Sequence, residues 1–259
     1  MNLELQNRTA LVCGSTAGIG RAIAKTLAAE GVHVTLAARN EEKLQAVLKE
    51  LPGEGHRYVI ADFTDPKALR ETVQQHIDRH GGFHILINNT GGPPAGPVFE
   101  ADIEEFERAY TMHLKCNHLL AQTTVPFMKT EGYGRIINII STSVKQPLDG
   151  LGVSNTTRGA VANWAKTLAN ELGRYGITVN NVLPGATNTE RLHSIIERKA
   201  KKGNISTDEA AQGMKNSVPA KRFAEPEETA AAVAFLASAR AGYINGINLP
   251  VDGGRTKSL

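Results

Sequence analysis

Residues 9–30 read TALVCGSTAGIGRAIAKTLAAE, and most of the fold follows from that stretch. An apolar run at 9–13 passes without a break into a turn holding Gly14, Gly18 and Gly20, and then into a helical pattern over 19–30. Glycines in such a turn permit a tight reversal, let the backbone approach a pyrophosphate closely, and allow the helix to pack near the strand. The free N–H groups of the helix's first turn, with its dipole, then hold negative charge. A glycine triplet alone is a weak signal, but here it follows the first strand and opens a helix, which is the context a dinucleotide cradle requires. Ser15, Thr16 and Ile19, interleaved with the glycines, are assigned to the same cradle.

Working outward, the same alternation runs to the end of the chain. Candidate strands lie at 9–13, 33–38, 56–61, 85–89, 135–140, 178–183 and 247–251, several apolar on consecutive positions. Such runs fit a parallel sheet covered by helices on both faces. Amphipathic patterns at 19–30, 41–49, 66–80, 103–128, 153–175 and 226–238 supply those helices. The expectation is a single-domain α/β fold spanning 1–259, a doubly wound, Rossmann-like sheet of about seven parallel strands flanked by helices. No repeat, low-complexity tract or Pro/Gly-rich linker divides it. Residues 185–219 break the rhythm: polar, with helical fragments and the basic cluster Arg198, Lys199, Lys201 and Lys202, and too long for an ordinary connection. The segment follows a strand's carboxyl end, where ligands bind in such sheets, so it reads as a substrate lid or as a rigid surface excursion. The basic cluster reads as a solvated helix face or as a contact for an anionic substrate tail.

Composition bounds the function. A formal net charge of +3 argues against nucleic acid or a membrane surface as the main partner. The hydrophobic fraction of 41% excludes a disordered chain. Cys13 and Cys116 make no disulfide framework, no metal-ligand spacing occurs, and both thiols are expected to behave as small buried hydrophobes. The opening MNLELQNR lacks the apolar run of a signal peptide, and the expectation is a cytoplasmic protein.

The second strand ends Ala37-Ala38-Arg39-Asn40. A carboxylate there would bind a ribose 2′-hydroxyl and repel a 2′-phosphate. Ala38 and Arg39 offer no carboxylate and a guanidinium able to pair with phosphate, which favours NADP(H) over NAD(H). The alternative is that Arg39 is one more exposed arginine. Asp62 closes the third strand, where it could accept from an adenine amino group or cap the helix near Pro66.

Together these residues resemble the short-chain dehydrogenase/reductase family, over almost the whole chain. Asn88-Asn89-Thr90-Gly91 is similar to the family's Asn-Asn-Ala-Gly, assigning Asn89 and Gly91 to the cofactor side. Ser141, after GRIINII, falls where the family has its active-site serine. Pro184-Gly185 looks like its Pro-Gly turn, Thr189 falls where a threonine binds the nicotinamide carboxamide, and Thr187 joins that group. INGINLPVDGG is similar to its last strand. By likeness, a 3-oxoacyl-ACP reductase is the commonest such chain.

Three positions depart from the family. Its YxxxK motif supplies a tyrosine that donates a proton and a lysine that lowers the tyrosine's pKa and binds the nicotinamide ribose. Aligning Gly159-Ala160 puts Ser154 in the tyrosine slot and Arg158 in the lysine slot. The family's asparagine in the preceding long helix is replaced by His113. An aliphatic hydroxyl is a far weaker acid than a phenol, and arginine stays protonated, but Arg158 can offer fixed charge and a fork of donors. Positions 154, 158, 161 and 165 form one helical stripe, with Val161 and Ala165 apolar, so Ser154 and Arg158 should face the protein. Arg158 then serves the cofactor or substrate, or sits in a structural ion pair. His113, which titrates near pH 6.5 when unperturbed, is a candidate general acid or a buried histidine bonded to backbone. Lys145 could swing toward a carbonyl or remain an exposed loop lysine. Ser141 should orient the carbonyl oxygen.

Two functions follow. One is an NADP(H)-dependent oxidoreductase interconverting a small-molecule carbonyl and an alcohol through a divergent proton relay. The other is a weak or inactive NADP(H)-binding sensor or scaffold. The family implies a homotetramer or homodimer through the helices at 103–128 and 153–175, where Trp164 and Leu168 would fit a packed face.

Overall fold

Seven parallel strands in the order β3-β2-β1-β4-β5-β6-β7 make the sheet, in a computed structural model that describes residues 1–258. The strands are β1 (Thr9–Cys13), β2 (His33–Ala38), β3 (Arg57–Ile60), β4 (Ile85–Asn88), β5 (Gly134–Ile139), β6 (Ile177–Pro184) and β7 (Asn248–Val251). The strand order reverses between β1 and β4, which opens a crevice at their carboxyl ends.

Consecutive apolar residues in a strand feed two different cores. Val12, Val34, Ile87 and Ile137 pack with Ile23 and Leu27 of α1 (Gly18–Ala29), Leu44 of α2 (Glu41–Leu48) and Val233 of α9 (Pro226–Ala237). Leu11, Leu86, Ile136 and Val179 face the other way. They meet Leu69 and Val73 of α3 (Pro66–His80), Leu120 of α5 (Cys116–Glu131) and Ala165 of α6 (Gly152–Leu172). This two-sided burial is why the strands lack polar alternation.

The long helix expected over 103–128 is interrupted. It comprises α4 (Ile103–Tyr110), a π-helical turn at Thr111–Lys115 and α5. The wide turn carries His113 into the interior, and such turns occur often at functional sites. Helix α5 ends at Gly132, whose φ of +60° is the left-handed conformation usual after a helix. Asn40 caps α2, its side chain accepting from Lys43 N at 2.8 Å, and Asp65 caps α3, accepting from Ala68 N at 3.0 Å. Asp62 therefore does not cap α3, which removes that alternative.

Polar pattern hid one internal device. Asn88, Asn138, Asn181 and Asn248 are in register on β4, β5, β6 and β7. Each amide donates to the next at 2.8 Å, forming a ladder of three hydrogen bonds across four strands.

Residues 185–219 are more ordered than their polarity suggests. They contain α7 (Glu190–Gly203) and α8 (Thr207–Asn216), which bury Leu192, Ile196, Ala200 and Ala210 against each other in a small core of their own. Ser206 and Glu209 form a capping box at the start of α8. The basic cluster Arg198, Lys199, Lys201 and Lys202 lies on the exposed face of α7. Among the described residues, no helix is long and apolar enough to cross a membrane.

Candidate active site

The glycine turn forms a cradle with no room to spare. Gly14 has φ of +59°, and a Cβ there would lie 2.6 Å from Asn89 O. A Cβ on Gly20 would lie 2.1 Å from Gly14 O, so helix and turn touch backbone to backbone. Asn89, at the end of β4, donates from Nδ2 to Cys13 O at 3.2 Å and to Gly14 O at 3.3 Å. Helix α1 opens at Ala17, and no side chain caps it. Its first N–H groups are left for a ligand, and the dipole there favours an anion, so a phosphate group fits. Thr16, Gly18 and Ile19 are half-buried in the turn. Ser15 is fully buried, and its hydroxyl accepts from Ala37 N at 3.1 Å, which ties the turn to β2.

Two polar groups stand at the neighbouring ends of β2 and β3. Arg39 is exposed. Asp62 accepts from Thr64 N at 2.9 Å and Thr64 Oγ1 at 2.8 Å. The Thr64 N–H foremost, with Arg39 and Arg108 adding positive charge, holds the Asp62 carboxyl below the usual aspartate range. Adenosine-binding positions and a phosphate-binding guanidinium would have to occupy this edge.

Across the switch point, the buried polar groups gather. Thr90 follows β4, and its Oγ1 lies 2.8 Å from His113 Nδ1. His113 is only 3% exposed, and its Nε2 has no partner among the described residues. Burial first, then the charge of Arg158, push the imidazole down to about 2. With its pKa lowered that far, the ring is neutral near pH 7, and its burial fits the second of the two expectations, a buried, hydrogen-bonded histidine. The physical reason is, first, that charging it would strip water from a buried cation and, second, that the charge would stand beside Arg158.

Arg158 faces inward, as the stripe with Val161 and Ala165 requires, and is 8% exposed. Nη1 donates to Ile139 O at 2.7 Å, two residues before Ser141, while the buried Nε has no partner among the described residues. It pairs with no carboxylate among the described residues, so the structural ion-pair alternative does not hold. Burial, with Arg191 adding like charge, brings it down to about 10, still protonated at neutral pH. Ser141 is half-buried, and its Oγ accepts from Ser143 N at 3.1 Å, which leaves its own proton free to donate outward. Ser154 is half-buried one turn before Arg158 on α6. Lys145 is half-buried rather than exposed, at the end of the short turn after Ser141.

The far wall comes from the end of β6. Pro184 and Gly185 are half-buried, and a Cβ on Gly185 would lie 2.7 Å from Asp252 Cα. Thr187 is buried and donates to Gly185 O at 3.2 Å. Thr189 caps α7, accepting from Leu192 N at 3.3 Å, and its Cγ2 stands 3.0 Å from where a Gly18 Cβ would be. The cradle and the start of α7 thus face each other. Gly91 is exposed with open space beside it.

Sequence reasoning missed Arg191. From α7 it donates to Gly92 O at 3.3 Å and Pro93 O at 2.8 Å, joining that helix to the loop after β4. One signal was available: a cation in the first turn of a helix opposes the dipole and needs a reason.

The family whose model matches residues 14–256 is described as enoyl-(acyl carrier protein) reductase. The chain is 32% identical over 259 residues to the NADPH-dependent reductase BacG of Bacillus subtilis, covering 98% of this chain and 100% of that one. It is 34% identical over 250 residues to the 3-oxoacyl-[acyl-carrier-protein] reductase FabG of Haemophilus influenzae, covering 96% and 98%. The L-sorbose reductase of Gluconobacter frateurii, solved with NADPH and L-sorbose, superposes with a TM-score of 0.94 at 32% identity and full coverage of both chains.

Proposed function

The chain belongs to the short-chain dehydrogenase/reductase family, and on that premise we propose that it is an NADP(H)-dependent oxidoreductase interconverting a carbonyl and an alcohol without the usual phenolic proton donor. When bound at the glycine turn, NADP(H) would supply or accept the hydride at the carbonyl carbon, and a proton would have to reach or leave the oxygen. The protein's residues bind, orient and stabilise charge. The N–H groups at the start of α1 receive the diphosphate, and Arg39 receives the 2′-phosphate at the end of β2. Asp62 takes the adenine edge. Asn89 keeps the Gly14 turn in shape, and Thr187, Thr189 and Gly91 line the nicotinamide end.

One observation carries the reading: a buried arginine without a carboxylate stands two residues from the strand end that bears Ser141. Ser141 donates to the carbonyl oxygen. Arg158 holds a fixed positive charge where oxyanion charge develops, and in a water-poor pocket such a charge is worth far more than in bulk water. Neither His113 nor Arg158 is an acid in the neutral range. The proton therefore comes from water, with access beside half-buried Ser154. The α7–α8 hairpin covers the substrate, with Arg191 as its latch. The chain assembles as a homodimer or homotetramer through the faces of α4, α5 and α6. Phe99, Ile103 and Tyr110 expose apolar surface beside those faces.

Steady-state NADPH oxidation over a panel of ketones, 3-oxoacyl thioesters and oxo acids tests the reading. Turnover that Arg158→Ala reduces at least about a hundredfold is expected, on the scale of a lost oxyanion contact. Arg39→Ala should raise the Kd for NADPH about tenfold while leaving that for NADH nearly unchanged. Tight NADPH binding without turnover on any carbonyl would overturn the enzyme and leave the binding protein.

A further inference from the structure

Arg158 and Arg191 reach the same small space from opposite walls. Arg158 comes from α6 and Arg191 from the first turn of α7. A methyl group placed on Gly92 would lie 3.2 Å from Arg191 Nη2 and 3.7 Å from Arg158 Nη2. Both guanidinium groups therefore look onto the bare backbone of Gly92, beside the residues that flank the reaction centre. Burial foremost, then the like charge of Arg191, lowers the pKa of Arg158, and burial foremost, then Arg198, lowers that of Arg191.

That arrangement is unfavourable on three counts. Two like charges stand together, the buried Nε of Arg158 has no partner, and Arg191 sits at the positive end of a helix dipole. Among the described residues, the only acceptors that Arg191 has are two backbone carbonyls, and Arg158 has one. An oxyanion between them would remove all three costs at once, accepting from two forks that are fixed by their carbonyl anchors. Gly92 keeps the space free, since any side chain there would fill it. Next to it His113 is neutral, so it adds no competing charge.

We propose that Arg158 and Arg191 form a carboxylate clamp, and that the substrate is a small carbonyl acid, or the corresponding hydroxy acid, held by that group with its carbonyl oxygen at Ser141. This rests on the carbonyl–alcohol reading above and sharpens it to a substrate class. The exposed start of α7 contributes one arm, so the clamp also ties the α7–α8 cover to the presence of an anion. The coenzyme's diphosphate shares the same chemistry, and the test separates the two sources.

Matched pairs of 2-oxobutanoate and 4-oxopentanoate with their methyl esters provide the probes. The expected result is a kcat/KM for acids above that for esters, with the ratio falling at least about tenfold in Arg191→Ala and partly restored in Arg191→Lys. The loss should lie in KM more than in kcat, because Arg191 holds the substrate away from the reacting carbon. A thermal-shift titration of the NADPH complex gives a readout that needs no turnover. The acids should raise the melting temperature of the wild-type complex and the esters should not, and the rise should vanish in Arg191→Ala. If Arg191→Ala leaves the acid-to-ester ratio intact while weakening NADPH at least about tenfold, the pair serves the coenzyme's phosphates and the clamp is refuted. Equal stabilisation by acids and esters also refutes it. Acid-specific stabilisation without any turnover would keep the clamp and overturn the oxidoreductase reading instead.

Discussion

Gly20 and His113 show how much a single position can hold. A Cβ at Gly20 would sit 2.1 Å from Gly14 O and 2.7 Å from Asn89 Nδ2, so Gly20→Ala must push the turn away from the strand. Overpacking of that kind costs about 1–3 kcal/mol. A fluorescence titration should show NADPH affinity lowered at least about tenfold, alongside a lower melting temperature. For His113 the sign follows from burial. Its folded pKa is depressed to about 2, below the unfolded value of about 6.5, so the unfolded chain binds the extra proton on acidification. The stability linked to the neutral ring is present above about pH 6.5 and is lost as pH falls toward the folded value. Between pH 7.5 and 5.5 His113 alone should cost on the order of 1 kcal/mol. Urea titrations should show this slope reduced by that amount in His113→Asn, and an unchanged slope would mean the ring is accessible to protons. The residue types at both positions were visible in the sequence. The charge state of His113 was not, because it depends foremost on how deeply the π-helical turn buries the ring and then on α6 bringing Arg158 beside it.

Among the elements, the asparagine ladder and the α7–α8 hairpin matter most. Asn138 donates to Asn181 and accepts from Asn88, both at 2.8 Å, inside a sheet covered on both faces. Asn138→Ala leaves the Asn88 amide and the Asn181 carbonyl oxygen buried without partners. Each such orphan costs about 1–3 kcal/mol, so urea unfolding should show a loss of about 2–5 kcal/mol with the m-value unchanged. A loss below 1 kcal/mol would mean the ladder relaxes onto water. No local pattern announces it, since four asparagines spread over 160 residues become neighbours only when four strands align. The α7–α8 hairpin was half legible. Its Glu190 and Ser206 starts are ordinary helix signals, but its small core arises from packing of two amphipathic pieces on each other rather than on the sheet. Hydrogen exchange of α7 should slow on binding NADPH, because Thr189 at the start of that helix faces the cradle at Gly18 and Arg191 ties the helix to the loop after β4. Exchange that is indifferent to NADPH would mean the hairpin is a fixed wall.

At the scale of the molecule, the exposed apolar residues Val98, Phe99, Ile103 and Tyr110 gather before and along α4, and Tyr243 stands alone near β7. Sedimentation velocity at micromolar concentration should give a mass of at least twice 27.8 kDa, and a monomer would overturn the assembly proposed for α4, α5 and α6. Trp164 is less available to such a face than its apolarity suggests, as its Nε1 donates to His118 Nδ1 at 3.3 Å across α5 and α6. The amino-acid sequence by itself determined the sheet, the helix order and the glycine cradle, because each is written in hydrophobic period, turn chemistry and the few residues that fit a left-handed turn. It also raised the expectation that Ser154 and Arg158 stand where the family has its tyrosine and lysine. Tertiary structure alone decided what surrounds Arg158. Its lack of a carboxylate partner among the described residues, the buried histidine beside it and the second arginine arriving from α7 are facts of burial and distance. Charge in a low-dielectric interior is set by neighbours that lie far apart along the chain, and sequence spacing carries no record of them.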